Sequence, residues 1–198
     1  MKYKFVVSGA AVTDHCAEDA HIRAEQLGKE IVEHNGIVIT GATTGLPYWS
    51  AKGAKKAGGV SVGISPAASL FSHVKAYHLP IDFFDFIIYT GFNYSGRNLL
   101  LTRSADAVII VCGRIGTLNE FTIAFEDDKP IGILTDTGGM ADEIEEIVKK
   151  AHRGMGRIVY NSDPKELVKG LIKIIDKDYT ALESEGLLPS DFHEKHQE

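Results

Sequence analysis

Ala107-Val108-Ile109-Ile110-Val111-Cys112-Gly113-Arg114-Ile115-Gly116-Thr117-Leu118-Asn119-Glu120 is the stretch that decides the fold. An unbroken apolar run rich in β-branched residues suits a strand buried on both faces, as in a parallel sheet. Gly113 and Gly116 flank a tight loop, and helical spacing begins at Thr117. Strand, glycine loop and helix in that order form half of a βαβ unit.

The same rhythm extends in both directions. Strands are expected at Lys4–Ser8, Ile37–Thr40, Val60–Ile64, Phe86–Thr90, Ala107–Cys112, Ile131–Thr135 and Arg157–Tyr160. Helices are expected at Asp14–Asn35, stopped by Gly36, and at Pro47–Ala57, stopped by Gly58-Gly59. Thr117–Asp127 and Met140–Ala151 follow, and Asp163-Pro164-Lys165-Glu166 opens a last helix running to about Ile175. Alternation of this kind implies an α/β, Rossmann-like, doubly wound and mostly parallel sheet of about seven strands, with helices on both faces. One domain is expected over 1–182, with a polar tail over 183–198. Ser65–Asp85 breaks the rhythm: it is a lid, a subunit contact or a helix hidden from periodicity.

Composition narrows the function. With 198 residues and 44% hydrophobic content the chain is long enough to bury a core. Acidic residues outnumber basic ones, 27 to 21, which argues against nucleic acid as partner. The amino-terminal run reads as a strand rather than a signal peptide, and no stretch is apolar enough to span a bilayer. Cys16 and Cys112 do not read as a disulfide framework, so a reducing, cytoplasmic setting is expected. At the end of a strand, Cys112 reads as packing rather than as a reactive thiol. The eight histidines show no metal spacing: His15 and His21 read as helix surface, and His193 and His196 fall in the tail. No metal and no cofactor is expected. Lys52, Lys55 and Lys56 read as a solvated helix face, Tyr48 and Trp49 as core. Phe83, Phe84 and Phe86 read as core at a strand entry or as a dimer contact.

In open α/β sheets ligands bind beyond the carboxyl ends of the strands, where the strand order switches. Three such ends carry unusual residues. Ser8-Gly9-Ala10-Ala11 lets backbone approach a ligand, or is simply a tight turn. Thr40-Gly41-Ala42-Thr43-Thr44-Gly45-Leu46-Pro47 runs straight into a helix and suits an anion, or a helix start capped by Thr44. In the third, Thr117 and Glu120 stand three apart, on one face of a helix start. The local pattern favours a capping box, in which Glu120 closes onto its own backbone, over a phosphate site. Arg97, in Gly91-Phe92-Asn93-Tyr94-Ser95-Gly96-Arg97-Asn98, stands at a helix start, where the dipole disfavours a cation unless an anion is near.

Together these residues resemble the LOG family, formerly labelled lysine decarboxylases, within the wider SLOG nucleotide-binding group. Gly113, Gly116, Thr117 and Glu120 match the hallmark Pro-Gly-Gly-x-Gly-Thr-x-x-Glu, Arg97 matches its preceding arginine, and Gly41 with Gly45-Leu46 resembles its second glycine loop. The Lys52–Gly59 segment resembles the family's stretch after that loop, and the likeness covers about residues 3–160. Three positions depart: Cys112 replaces the proline, Arg114 the second glycine, and Asn98 a usual lysine. Arg114 either crowds a phosphate that the family cradles on bare backbone or binds it through its guanidinium.

The resemblance implies a homodimer that hydrolyses the N-glycosidic bond of a nucleoside 5′-monophosphate to free base and ribose 5-phosphate. Glu120 would stabilise the developing charge on the ribose or activate water, and Arg97 would orient Glu120 or the substrate. Gly9, Gly41, Thr43, Thr44, Gly45, Gly113, Arg114, Ile115, Gly116 and Thr117 would hold the nucleotide and its phosphate. The alternative is a non-catalytic relative that carries a nucleotide or the molybdenum cofactor. A dehydrogenase fits less well, because Gly9-Ala10-Ala11 lacks the Gly-x-Gly-x-x-Gly fingerprint. A pyridoxal-phosphate lysine site is not recognisable.

Overall fold

Why seven strands form is visible in their side chains. In the computed structural model, which describes residues 2–190 and 192, strands and helices alternate strictly along the chain. They are β1 (Tyr3–Gly9), α1 (Ala20–Glu33), β2 (Gly36–Thr40), α2 (Leu46–Lys56), β3 (Ser61–Ser65), α3 (Leu70–Lys75) and β4 (Phe86–Tyr89). Then come α4 (Asn93–Arg103), β5 (Ala107–Val111), α5 (Ile115–Glu126), β6 (Ile131–Leu134), α6 (Gly139–Ala151), β7 (Ile158–Asn161) and α7 (Pro164–Ser184). All pairings are parallel, in the order β4-β3-β2-β1-β5-β6-β7.

Successive side chains of a strand point to opposite faces. In β1, Phe5 and Val7 enter one core with α1, α2 and α7, while Val6 enters the other with α4, α5 and α6. In β5, Ala107, Ile109 and Val111 join the first core, Val108 and Ile110 the second. Every residue of β5 is fully buried. A buried valine or isoleucine contributes about 1.5–3 kcal/mol, so the central strands anchor the domain. β4 is different: Phe86 and Ile88 are about half exposed on this edge, so Phe86 is not core.

Several boundaries move. The helix expected from Asp14 begins at Ala20, because residues 10–19 form an irregular loop tied down by Cys16 N–H to Thr13 O and Ala17 N–H to Thr137 O. The last helix continues past Ile175 to Ser184, since Tyr179 stacks on Tyr3 at 6.4 Å. Asp163 does cap it, accepting from the Lys165 and Glu166 amides. The 65–85 crossover contains α3, capped by Ser69, and His73 is buried between the Ser65 hydroxyl and the Pro80 carbonyl. His193 and His196 lie outside the described residues.

The cysteines overturn an expectation. Cys16 and Cys112 form a disulfide across a sequence separation of 96. Neither is a free thiol, and Cys112 packs in the core while bonded. Local sequence gave no hint, because the two residues meet only when the loop after β1 folds over the end of β5. Among the described residues no helix is long and apolar enough to cross a membrane.

Candidate functional site

The strand order reverses between β1 and β5, and their carboxyl ends open a crevice there. A cavity of about 470 Å³ fills it. Ser8, Gly9, Ala10 and Ala11 come from β1 and its loop, Gly41, Thr43 and Thr44 from the loop after β2. α4 contributes Arg97 and Asn98, and α5 contributes Gly116, Thr117 and Glu120, with Arg114 at its start.

Arg97 and Glu120 form the buried floor, 5% and 6% exposed. Arg97 Nη1 lies 3.4 Å from Glu120 Oε1, and the Ser8 hydroxyl donates to Glu120 Oε2. Asn98, with its amide oriented to satisfy both atoms, donates to Glu120 Oε1 at 2.8 Å and to the Tyr94 carbonyl at 2.8 Å. Burial pushes the Glu120 carboxyl above the ordinary carboxylate range, and Arg97 and Ser8 offset part of that rise. Burial also works against the Arg97 charge, but arginine stays protonated in proteins. Arg97 Nε is buried and finds no hydrogen-bond partner. The floor is therefore a charged pair with a spare donor.

Glu120 does not close a capping box. α5 begins at Ile115, so Thr117 lies inside its first turn and Arg114 occupies the cap position. No side chain caps this end. First-turn amides have no intrahelical acceptor, and they carry the positive end of the helix dipole. Gly116 and Thr117, both in this turn, line the cavity. Arg114 adds an exposed guanidinium at the rim.

The loop after β2 works differently. A Cβ on Gly41 would stand 1.9 Å from Arg97 Nη1, so the missing side chain admits the guanidinium to the floor. Gly45, not Thr44, caps α2, at φ +72°, and a Cβ there would lie 2.1 Å from the Ala10 carbonyl. Thr44 instead donates its hydroxyl to the Ala11 carbonyl at 3.0 Å.

Of the residues expected to hold a nucleotide, Gly9, Gly41, Thr43, Thr44, Arg114, Gly116 and Thr117 line the cavity. Gly45, Gly113 and Ile115 do not: Gly45 packs on Ala10, Gly113 packs on Thr117, and Ile115 is 75% exposed. The candidate catalytic residues Arg97 and Glu120 lie 3.4 Å apart. Sequence reasoning missed Tyr77, His78 and Leu79, which the 65–85 crossover brings to the rim, and Tyr94, whose ring meets Tyr77 edge-on at 5.7 Å. The length of that crossover was the available signal. His15, Cys16 and Cys112 also assemble, their donor atoms within 4.8 Å of one another, although no spacing announced it.

The SLOG cluster4 family matches residues 2–168. An uncharacterized protein of Archaeoglobus fulgidus is 33% identical over 131 residues, 66% of this chain and 81% of that one. Among solved structures, the Moco carrier protein of Chlamydomonas reinhardtii is similar at 27% identity, covering 92% of this chain and 100% of that chain, with a TM-score of 0.70. The molybdenum cofactor binding protein of Rippkaea orientalis is similar at 26% identity, covering 90% and 98%, with a TM-score of 0.68. This chain, with its all-parallel sheet and its cavity at the switch point, belongs to the SLOG cluster4 family.

Proposed function

We infer that the cavity binds a nucleoside 5′-monophosphate and that the protein hydrolyses its N-glycosidic bond, releasing free base and ribose 5-phosphate. One observation carries this reading: a buried Arg97–Glu120 pair lines the cavity. The first-turn amides of α5, Thr117 and Arg114 suit the phosphate. The volume is in the range of small-molecule sites.

Cleavage builds positive charge on the ribose, much as in glycosidases. Glu120, ionised, stabilises that charge or takes a proton from water. Ser8, Asn98 and Arg97 hold the carboxylate in place. Tyr77 and Tyr94 offer aromatic surface for the base. The homodimer and the cytoplasmic setting belong to this reading. Phe86 and Ile88 of β4 with Leu99 and Leu100 of α4, all exposed, are apolar side chains that a second copy would cover.

A second reading, a carrier of the molybdenum cofactor, is favoured by Arg114. An arginine at the α5 start strengthens anion holding without helping bond cleavage, and the Chlamydomonas and Rippkaea proteins share the fold. The α5 amides and Arg114 fit the phosphate end of such a cargo.

The test is base release from a panel of nucleoside 5′-monophosphates, with Glu120→Gln as control. Release by the native protein and not by the variant supports hydrolysis. No release, with a melting shift on adding nucleotide or the molybdenum cofactor, moves the assignment to the carrier.

A further inference from the structure

We propose that the Cys16–Cys112 disulfide is a thiol-exchange site that latches the loop of residues 10–19 against the end of β5, and that a small thiol such as glutathione opens it at Cys16. The latch is independent of which ligand the cavity takes.

The two sulfurs have unequal surroundings. Cys112 is fully buried, its N–H donates to Thr137 Oγ1 at 2.8 Å, and its carbonyl accepts from the Ala141 amide at 2.8 Å. Cys16 is partly exposed and lies in the irregular loop before α1. A thiolate from solvent therefore reaches Cys16 Sγ and not Cys112 Sγ, since exchange depends on access to the attacked sulfur. When the bond opens, Cys112 stays with the sheet and the loop becomes the moving part.

Few other contacts hold that loop near Cys16. Ala17 N–H donates to Thr137 O at 3.0 Å, Cys16 forms an isolated bridge with Gly138, and His15 Nε2 lies 3.4 Å from the Gly113 carbonyl. Ala10 and Ala11, at the start of the same loop, form one wall of the cavity. The covalent link thus ties the loop that leaves this wall, at Cys16, to Cys112, the residue that precedes Gly113.

The chemistry balances with a thiol as co-reactant. A thiolate RS⁻ attacks Cys16 Sγ, forming Cys16–S–S–R and breaking the bond to Cys112, whose sulfur takes the electron pair. Cys112 thiolate then takes a proton from water. A second RS⁻ resolves the mixed disulfide, giving R–S–S–R and a Cys16 thiolate. The protein disulfide is reduced by two electrons, and two external thiols are oxidised.

The full-length native protein is incubated with reduced glutathione, quenched with N-ethylmaleimide and mapped by peptide mass spectrometry. Glutathione is expected on Cys16 and the alkyl group on Cys112. Hydrogen exchange is measured in parallel on oxidised protein, reduced protein and Cys16→Ser. Backbone amides in residues 11–19 are expected to exchange at least about tenfold faster in the latter two, while those of β5 are unchanged. Glutathione found on Cys112, a bond that opens only after denaturation, or unchanged exchange in 11–19 on reduction overturns the proposal. Because no nucleotide enters either readout, failure here is separate from failure of the hydrolase reading.

Discussion

The two glycine segments that enter the cavity look alike in sequence and differ at one glycine, Gly116. In the loop after β2, glycine is needed because protein already fills the space: Gly41 faces the Arg97 guanidinium, and Gly45 faces the Ala10 carbonyl. After β5, Gly113 is also packed, against Thr117, but at Gly116, the second residue of α5, a Cβ would meet nothing within 4 Å, although Gly116 lines the cavity. The first loop is built to pack and to admit one charged side chain. The second leaves room at Gly116.

The largest effect is expected at Glu120, where the two loops converge: the first admits its partner Arg97, and the second opens the helix that carries it. Glu120→Gln should lower base release by about 10²–10⁴-fold, the usual worth of a positioned acid–base group. Binding of the nucleotide, read by calorimetry, should change far less. The acid limb of the native rate profile should lie above the ordinary carboxylate range, because burial raises this group and the ionised form is the active one. The linkage has the same origin. A carboxyl whose folded pKa is raised binds its proton more tightly in the folded state. Its contribution to stability is therefore greatest at low pH and is lost as pH rises from the unfolded value through the raised folded one. A native rate that is flat down through the ordinary carboxylate range would separate Glu120 from the chemistry.

Next in size is Gly41→Ala. Its methyl must displace Arg97 Nη1, and a misplacement of about 1 Å in a catalytic group can cost about 10²-fold in rate. An alanine variant with native turnover would show that the first loop is not built around the arginine.

The contrast between the loops explains what the sequence could disclose. All seven strands were legible, the five inner ones because β-branched runs buried on both faces have few other readings. The place of Arg97 beside Glu120 follows from the order of strand, loop and helix, and their joint role only from the resemblance. The local pattern Thr117-x-x-Glu120 favours a capping box, and it is Ser8, from β1, that instead donates to Glu120. Likewise nothing near Gly41 announces an arginine from α4, and nothing near Cys112 announces Cys16, 96 positions away. Tyr77 and His78 were hidden because the crossover that carries them has only the short α3 to give it a period.

Arg114→Ala sharpens the comparison on the side of the second loop. Loss of a charge-assisted hydrogen bond to a phosphate should weaken nucleotide binding by about tenfold to a hundredfold, from about 1.5–3 kcal/mol. On the hydrolase reading turnover at saturating substrate should hold or rise, since the variant moves toward the bare backbone of the family hallmark. A fall in saturated turnover equal to that of Glu120→Gln would place Arg114 in the chemistry instead of at the rim.

The smallest effect on folding, and the sharpest test, is Gly116→Ala. Gly116 is the second residue of α5, where alanine fits the helix and no neighbour objects. Thermal stability should stay level or rise by up to about 1 kcal/mol, the helix-propensity difference between the two residues. If the empty space belongs to a phosphate, the added methyl should nonetheless weaken nucleotide binding by about tenfold, visible in calorimetry and as a smaller ligand-induced melting shift. Gly41→Ala should do the reverse, disturbing the fold even with no ligand present. The pair thus separates glycine kept for the protein from glycine kept for the ligand. Unaltered binding in a well-folded Gly116→Ala would mean that the ligand sits deeper, against the Arg97–Glu120 floor, and that the open turn of α5 is not where its anion rests.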